Sequence, residues 1–401
     1  MKYLALILSL AVLAGITRAD DWRQFRGNDS SGVSPETNLP TKLDEPKSLQ
    51  WKIDLPGRGL SGPIVIGDRV FLTASSGYRD DRLQVLCFST ATGQQLWERE
   101  FKATGRTICN NEMCMATPQP CSDGERIYAY YSCNDVICLD LEGNLVWYRG
   151  LGHDFPNASS SLGMASSPVV VVGTLVLQLD TDSESFAAGL DALTGETRWK
   201  TDREKTAIWA SPTLFRSSPE SKSQVILQSK SSLLSIDHKT GSANWKVDQP
   251  CGEIASTTVA GDLLIAPLKQ LTVLRPSGTS ETPATLWSDA KLSPDTPTPV
   301  AYQDHVYVLK GSLLTCADLK TGKIAWRLRL GSAGASSSPV AADGCLYLAD
   351  QNGLLQCIRL GGAKGEVASR IELGEKIMAT PALSGGGLYL RSDKHMWKFA
   401  N

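Results

Sequence analysis

Apolar and polar residues alternate along most of the chain in short runs, and one phrase of residues returns eight times. Most copies start with Ser or Thr before Pro and continue through apolar stretches separated by turns, and the fullest copies end with Thr-Gly and a Trp. The clearest copies run from Ser166 to Trp199 and from Thr298 to Trp326. Alternation over about four to eight residues predicts β-strands, because successive side chains of a strand point to opposite faces. Since no segment keeps a helical period of about 3.6 residues, the pattern predicts an all-β chain.

The spacing of the repeats predicts the architecture. The repeat starts fall at Pro63, Pro118, Pro168, Pro212, Thr257, Pro299, Pro339 and Pro381. Repeats of about 40–50 residues with four short strands each are typical of β-propeller blades. The chain is therefore predicted to form an eight-bladed β-propeller, and seven blades are the alternative if the fifth or eighth repeat is irregular.

The tryptophans that close the repeats are predicted to be structural. Each would pack over the neighbouring blade, which removes about 150–250 Å² of ring surface from water. The last repeat lacks a fourth strand, whereas the segment from Leu49 to Ile53 precedes the first repeat and carries a Trp. We expect this segment to pair with the last blade and close the ring, because closure removes exposed strand edges. The blade-docking tryptophans are Trp51, Trp97, Trp147, Trp199, Trp245, Trp287 and Trp326.

The first nineteen residues have the pattern of a secretory signal peptide, with a basic start, an apolar run and a small residue at Ala19. We expect export, cleavage after Ala19, and a periplasmic or secreted location. The apolar run is shorter than the roughly twenty residues of a membrane span. Residues 20–48 are predicted to be an extended N-terminal segment, and residues 49–401 a single, monomeric propeller domain. The net charge of −2 disfavours a nucleic-acid partner.

The repeat endings resemble a known family. The stretch from Ala317 to Trp326, with Asp318, Thr321 and Gly322, resembles the tryptophan-docking motif of pyrroloquinoline-quinone (PQQ)-type propellers. Copies at 191–199 and 237–245 reinforce the resemblance, which covers nearly all of residues 51–401. The opening 20–34 and the stretch 151–168 resemble PQQ-like propeller proteins of planctomycete-type bacteria. The family includes quinoprotein alcohol dehydrogenases and the non-catalytic assembly factor BamB. The docking motif joins blades and has no chemical role, so the resemblance implies the fold more firmly than the activity.

Two departures bear on function. The quinoprotein dehydrogenases share a pair of adjacent cysteines over the cofactor, and this chain contains no Cys-Cys dipeptide. The lipoprotein cysteine of BamB is also missing. We therefore expect no cofactor, with PQQ and calcium as the alternative.

Four long polar loops from the first three repeats are predicted to share one face near the axis: 75–82, 104–114, 151–163 and 181–186. Polar loops on a rigid scaffold often carry function. Their oxygen-bearing side chains are of the kind that calcium binds, but no fixed calcium motif is present, so the metal is left unknown. The candidate ligand residues are Arg79, Asp81, Asn110, Asn111, Glu112, His153, Asp154, Asn157, Asp180, Asp182, Arg203 and Trp209.

The cysteines divide into two groups. Four of them (Cys87, Cys138, Cys316 and Cys357) share one repeat position, which predicts small buried strand residues. Cys109, Cys114 and Cys133 are expected to lie near one another in the second repeat. An exported protein permits a disulfide among these three.

Neither a zinc-protease motif nor a nucleophile-elbow serine is present in the sequence, so no catalytic residue is assigned. The leading hypothesis is an exported scaffold that binds a protein or peptide partner in the cell envelope. One alternative is a PQQ- and calcium-dependent dehydrogenase with an Asp base. Another is a carbohydrate or small-anion binder that uses Trp209 or Tyr78 with loop arginines.

Overall fold

The computed structural model describes residues 20–278, 280–331, 333–361 and 363–401. These residues form eight four-stranded antiparallel sheets arranged as the blades of a propeller. The predicted signal peptide lies outside the described residues. Within the described part of the chain, no helix is long and apolar enough to cross a membrane.

Each blade contains four strands that follow one another from the axis outwards. Blade 1 contains β2 (Ile64–Ile66), β3 (Arg69–Ser76), β4 (Arg82–Ser89) and β5 (Gln95–Lys102), and blade 2 contains β6 (Cys121–Ser122), β7 (Arg126–Tyr130), β8 (Asp135–Asp140) and β9 (Leu145–Gly150). Blade 3 contains β10 (Val169–Val171), β11 (Thr174–Leu179), β12 (Phe186–Asp191) and β13 (Thr197–Asp202), and blade 4 contains β14 (Thr213–Phe215), β15 (Gln224–Gln228), β16 (Leu233–Asp237) and β17 (Ala243–Val247). Blade 5 contains β18 (Thr258–Ala260), β19 (Leu263–Pro267), β20 (Leu271–Arg275) and β21 (Ala284–Asp289), and blade 6 contains β22 (Val300–Tyr302), β23 (His305–Lys310), β24 (Leu313–Asp318) and β25 (Ile324–Arg329). Blade 7 contains β26 (Val340–Ala342), β27 (Cys345–Ala349), β28 (Leu354–Leu360) and β29 (Gly365–Glu372), and blade 8 contains β30 (Ala382–Ser384), β31 (Gly387–Arg391), β32 (His395–Phe399) and β1 (Leu49–Asp54). A one-turn helix, α1 (Leu151–Asp154), and two 3₁₀ turns, Tyr78–Asp80 and Ala290–Leu292, lie in the connections.

The predicted count of eight blades and the predicted ring closure are confirmed. Strand β1 is the outer strand of the last blade and pairs with β32, with Trp51 opposite Lys398 and Asp54 opposite His395. One predicted start needs adjustment, because the inner strand of blade 2 begins at Cys121 rather than directly after Pro118.

Six of the seven closing tryptophans make a hydrogen bond to the neighbouring blade, whereas the Trp245 indole N–H donates to the Gln224 side chain of its own blade at 3.0 Å. The indole N–H of Trp199 donates to the His238 carbonyl of the next blade at 2.9 Å. Its ring lies against Gly241, which has a φ of 71°, and an added Cβ there would come within 2.5 Å of the ring. Glycine is therefore required at this turn by both its backbone conformation and the close ring. Trp51, Trp97, Trp147, Trp287 and Trp326 make the same kind of bond to a carbonyl of the following blade.

Blade 7 joins blade 8 in a different way. Ser369 of β29 pairs with Cys357, the position at which other blades pair Cys with Trp. The N-terminal segment covers this junction, because the Leu43 N–H donates to Ser369 Oγ at 2.9 Å and Ser369 Oγ donates to the Thr41 carbonyl at 2.8 Å. The side chain of Leu43 is fully buried in the core between blades 7 and 8. An apolar residue from the N-terminal segment thus takes over the packing that a tryptophan supplies elsewhere.

The first part of the N-terminal segment crosses the axis of the ring. The Trp22 N–H donates to the carbonyl of Val65 in blade 1, and the carbonyl of Arg23 accepts from Ser122 in blade 2. Farther along, Gly32 and Ser34 bond to Ala341 in blade 7. We call the face that residues 20–34 cover the lower face. The opposite face, reached by the loops that enter each inner strand, is the upper face.

Candidate functional site

A cavity of about 480 Å³ lies on the axis and opens at the upper face. The loops that lead from the outer strand of one blade to the inner strand of the next supply nearly all of its lining. All eight blades contribute at least one residue, so the cavity is a product of the closed ring. Its volume lies within the range of about 300–1,000 Å³ that is usual for ligand pockets.

A ring of hydroxyl groups surrounds the axis in the lower part of the cavity. In six successive steps, the backbone N–H at the start of one inner strand donates to a Ser or Thr hydroxyl of the next blade, at 2.9–3.1 Å. Blade 1 has Gly62 at this position, where an added Cβ would lie 2.5 Å from the Thr380 carbonyl. There the Gln119 amide spans the gap and donates to the Pro63 carbonyl at 3.2 Å. The hydroxyl ring consists of Ser167, Ser211, Ser256, Thr298, Ser338 and Thr380.

The rim of the cavity is mainly apolar. Ile254 and Leu162 are 47% and 42% exposed, although both have large aliphatic side chains. The Trp209 ring is half-buried in the wall, and its indole N–H donates to the Gly163 carbonyl at 3.0 Å. The rim residues are Leu60, Met113, Leu162, Trp209, Ile254 and Met378.

The N-terminal segment closes the lower end of the cavity. Phe25 reaches the cavity floor from below. Its neighbour Arg26 is only 1% exposed and donates to the carbonyls of Pro339, Pro299 and Ser31 at 2.6–3.0 Å. Within the described part of the chain, Arg26 makes no ion pair and its Nε has no hydrogen-bond partner. Burial lowers the pKa of the Arg26 guanidinium to about 9.

Of the predicted ligand residues, Asn110, Glu112 and Trp209 line the cavity. Glu112 is exposed at the rim and pairs with Lys376, whose hydrogen bond and charge lower the pKa of the carboxyl. Asn111 is exposed, and its carbonyl accepts a long bond from Arg58 at 3.5 Å.

The other predicted ligand residues lie away from the axial cavity. Arg79 is exposed and lies over the Tyr78 ring, and Asp81 pairs with Lys102. His153 and Asp154 lie in α1, where Asp154 pairs with Arg149 at 2.5 Å. Asn157 and Asp182 make loop contacts, because the Asn157 carbonyl accepts from Ser183 and the Asp182 carboxylate accepts from the Ala207 N–H. These residues do not converge on one point.

Asp180 and Arg203 form a buried ion pair between blades 3 and 4. Two guanidinium nitrogens of Arg203 lie 2.8 and 3.0 Å from the Asp180 carboxylate, and Arg203 also donates to the Gln228 carbonyl of blade 4. Burial raises the pKa of Asp180, and the contacts with Arg203 and Gln178 only partly oppose this shift. Because each group is already satisfied by the other, the pair joins the blades rather than presenting a ligand site.

The three cysteines considered for a disulfide are unpaired thiols in the structure. Cys133 Sγ donates to the Asp135 carboxylate at 3.1 Å, whereas Cys109 Sγ contacts the Met113 carbonyl and Cys114 Sγ lies near Thr117. The long loop is held instead by Asp135, which is fully buried and accepts from the backbone N–H and the hydroxyl of Thr104. Burial raises the pKa of all three thiols, that of Cys114 to about 11, which keeps them protonated at neutral pH.

The cavity does not fit a calcium-bound PQQ. Calcium takes about six to eight oxygen ligands, most often with several carboxylates among them. Glu112 is the one carboxylate in the cavity lining, and Lys376 neutralises it. The described residues contain no group of three His, Cys, Asp or Glu side chains that could hold a metal ion.

The sequence interpretation missed the two features that define the cavity. The six ring hydroxyls belong to the Ser or Thr residues directly before six of the repeat starts, and in the sequence these residues mark only the repeat. The exposed apolar residues Leu162 and Ile254 stand in loops without a periodic signal, so only the closed ring shows that they share a rim.

Comparison with known proteins places the chain in a family. A family model described as outer membrane protein assembly factor BamB matches residues 33–211 and 277–368. Among curated relatives, polyvinylalcohol dehydrogenase of Sphingopyxis sp. (strain 113P3) is 23% identical over 57% of this chain and 39% of its own length. A polyvinylalcohol dehydrogenase of Pseudomonas sp. is 21% identical over 57% of this chain and 40% of its own length. The chain thus spans about two fifths of the length of these two relatives.

Solved structures share the fold at low sequence identity. BamB from Moraxella catarrhalis superposes with a TM-score of 0.64 at 16% identity and covers 88% of this chain and 97% of its own. A europium-containing methanol dehydrogenase gives 0.72 at 10% identity, covering 95% and 98%. The quinohemoprotein alcohol dehydrogenase from Comamonas testosteroni gives 0.71 at 14% identity, covering 96% and 81%. The repeats, the closed ring of eight blades and the family match agree: this chain belongs to the BamB family of PQQ-type β-propellers.

Proposed function

We propose that the chain is an exported, non-catalytic binding propeller that holds an extended peptide segment of an envelope protein at the axial cavity. The observation that carries the proposal is the exposed apolar rim around a deep cavity. Large aliphatic side chains that remain exposed around a pocket mark binding surfaces more often than isolated surface positions do.

The lining of the cavity supports binding rather than catalysis. Acid–base chemistry requires titratable groups placed within hydrogen-bond reach of a substrate. Glu112 is the one acidic or basic side chain among the lining residues, and it already pairs with Lys376. Apart from Glu112 at the rim, the lining contains no histidine, lysine or carboxylate that could act as a base for the six ring hydroxyls.

The peptide proposal is tested by isothermal titration calorimetry with a panel of apolar-rich peptides, each with a free and with an amidated C-terminus. Ile254→Asp places a charge on the rim and should weaken binding by about tenfold or more, because an unpaired charge is costly against apolar surface. Val172→Asp is the matched control, since Val172 is 70% exposed in a turn of the lower face. Equal losses in the two variants, or a panel that never binds, would refute the proposal.

Export rests on the sequence pattern of residues 1–19. Expression of the full chain in a bacterial host, followed by N-terminal sequencing of the periplasmic fraction, should return Asp20 as the first residue. Retention of Met1 would contradict export through this segment.

Dehydrogenase activity is the second candidate, and the match to the polyvinylalcohol dehydrogenases favours it. The test is thermal melting with PQQ and Ca²⁺, followed by an assay of polyvinyl alcohol with an artificial electron acceptor. A ligand that binds only the folded state raises the melting temperature. A chelator-sensitive rise with turnover would replace the binding proposal by this one, and we expect neither because the cavity lacks the carboxylates for calcium.

A further inference from the structure

We propose that the hydroxyl ring recognises a carboxylate, and that the peptide enters the axial cavity with its free C-terminus first. This inference rests on the proposed function and names the part of the peptide that is recognised. Three features of the axis carry it: the orientation of the hydroxyls, the buried guanidinium beneath them and the apolar wall above.

Each ring hydroxyl is set up as a hydrogen-bond donor. Its oxygen accepts a backbone N–H from the preceding blade, so the hydroxyl proton remains available for another group. Within the described residues, none of these six protons has an acceptor in the protein. A hydroxyl that accepts a hydrogen bond also donates more strongly, because neighbouring bonds polarise one another. The ring therefore favours a ligand that supplies acceptor oxygens.

The charge beneath the ring favours an anionic acceptor. Arg26 donates to the carbonyls of Pro299 and Pro339, which directly follow the ring residues Thr298 and Ser338. The guanidinium is buried, has no carboxylate partner among the described residues, and keeps its Nε without a hydrogen bond. A buried charge without a counter-charge is costly, and an anion held by the hydroxyl ring would lower that cost through the electrostatic field, although Arg26 itself does not line the cavity. Hydrogen bonds to an ionised acceptor are also about twice as strong as those between neutral groups.

The wall above the ring fits an apolar chain behind the carboxylate. Trp209, Met113 and Met378 line the cavity above the hydroxyls and form part of its apolar rim. The volume of about 480 Å³ is larger than a carboxylate needs and leaves room for the last apolar side chains of a peptide. Capture of a C-terminal carboxylate by converging donors is an established way to recognise peptides.

The test compares two forms of one peptide. An acetylated hexapeptide ending in Leu-Val is titrated into the mature protein by calorimetry, once with a free C-terminal acid and once with a C-terminal amide. We expect the acid to bind about tenfold more tightly, as one or two charge-assisted hydrogen bonds would give. Equal binding of acid and amide would overturn the carboxylate inference and leave the proposed peptide binding in place.

Two further measurements test whether the hydroxyl ring gives the preference for the acid and whether the ligand must be a peptide. Thr380→Val removes one ring hydroxyl and should reduce the preference for the acid, whereas Thr380→Ser keeps the hydroxyl and should preserve it. Octanoate tests the other source of an apolar carboxylate, and binding as tight as that of the peptide acid would overturn the peptide C-terminus as the ligand. If neither peptide form binds, this inference fails, and the proposed function fails with it only if the wider peptide panel also fails. Should Thr380→Val not fold, the comparison of acid and amide on the wild-type protein still decides.

Discussion

The two ends of the axial channel are built from the same inner strands, but the lower end is covered by the N-terminal segment and the upper end is open. At the lower end, residues 20–34 occupy the axis and bond to the backbone of several blades. At the upper end, the ring hydroxyls keep protons that have no acceptor among the described residues, and Ile254 and Leu162 remain exposed. The chain itself therefore closes the lower end, and the upper end is the face at which we propose recognition. In the proposed function, a nearly symmetrical scaffold has a single binding face because one non-repeated segment, residues 20–34, covers the other face.

The comparison predicts the largest loss of stability at the lower end. Arg26→Ala should lower the free energy of unfolding by about 3 kcal/mol or more, because the carbonyls of Pro299, Pro339 and Ser31 lose a charged donor. Urea denaturation of the purified protein measures the change. The control is Arg23→Ala in the same segment, where the side chain is 42% exposed and pairs with Asp21. A loss of similar size in both variants would show that the buried contacts of Arg26 do not stabilise the lower end more than the Arg23 contacts do.

The hydroxyl ring should contribute less to stability. In Thr298→Val the backbone N–H of Ser256 loses its acceptor, and we expect a cost of about 1–2 kcal/mol. Thr298→Ser keeps the acceptor and should cost much less. If the Val variant were as stable as the wild type in the same urea experiment, the ring would have no structural part and would serve the ligand alone.

A pH effect smaller than either is expected at the upper face beside the closing strand. Burial raises the pKa of Glu375, but hydrogen bonds from His395 and Ser392 outweigh burial and leave that pKa below the ordinary value of 4.5. Since the folded state holds the carboxyl ionised more strongly than the unfolded state does, this stabilisation is complete above about pH 4.5 and is lost as the pH falls. The melting temperatures of the wild type and Glu375→Gln should therefore converge below this pH. A difference in melting temperature that grew on acidification would contradict the stabilising role of the ionised Glu375 carboxyl.

The smallest effect on stability should come from the rim. Ile254→Ala is expected to change the free energy of unfolding by less than about 0.5 kcal/mol, because the side chain is half exposed. The same variant should weaken binding of the apolar peptides. A large loss of stability would show that the rim belongs to the core and not to a recognition surface.

The repeated features of this fold could be read from the sequence because each is a local pattern. The Thr-Gly turn and Trp199 recur at a fixed distance, and the Trp of Leu49–Ile53 stands where the last repeat lacks one. The replacement of a docking tryptophan by Leu43 could not be predicted, since its partner Ser369 lies far along the chain. Contacts between residues far apart in the sequence also decide which predicted site residues are available for a ligand.

Carboxylates were selected as ligands by residue type, and type does not show which partner a side chain already has. Asp180 looked available in the sequence, but the fold places Arg203 against it. Whether a loop aspartate is satisfied depends on contacts between blades, which no local pattern records. The apolar rim could not be predicted for a different reason. Ile254 is an ordinary aliphatic residue in the sequence, and only the closed ring places it with Leu162 at the cavity rim.

The seam between β1 and β32 has a consequence for how the molecule is made. The Gln50 side chain bonds to the Ala400 carbonyl across a sequence separation of 350 residues. Contacts of such long range form slowly, because a very large loop must close first. On a ribosome, blades 1–7 can assemble while β1 waits without a partner, and the disc closes only after β32 has emerged. The ring therefore cannot close before nearly the whole chain has been made.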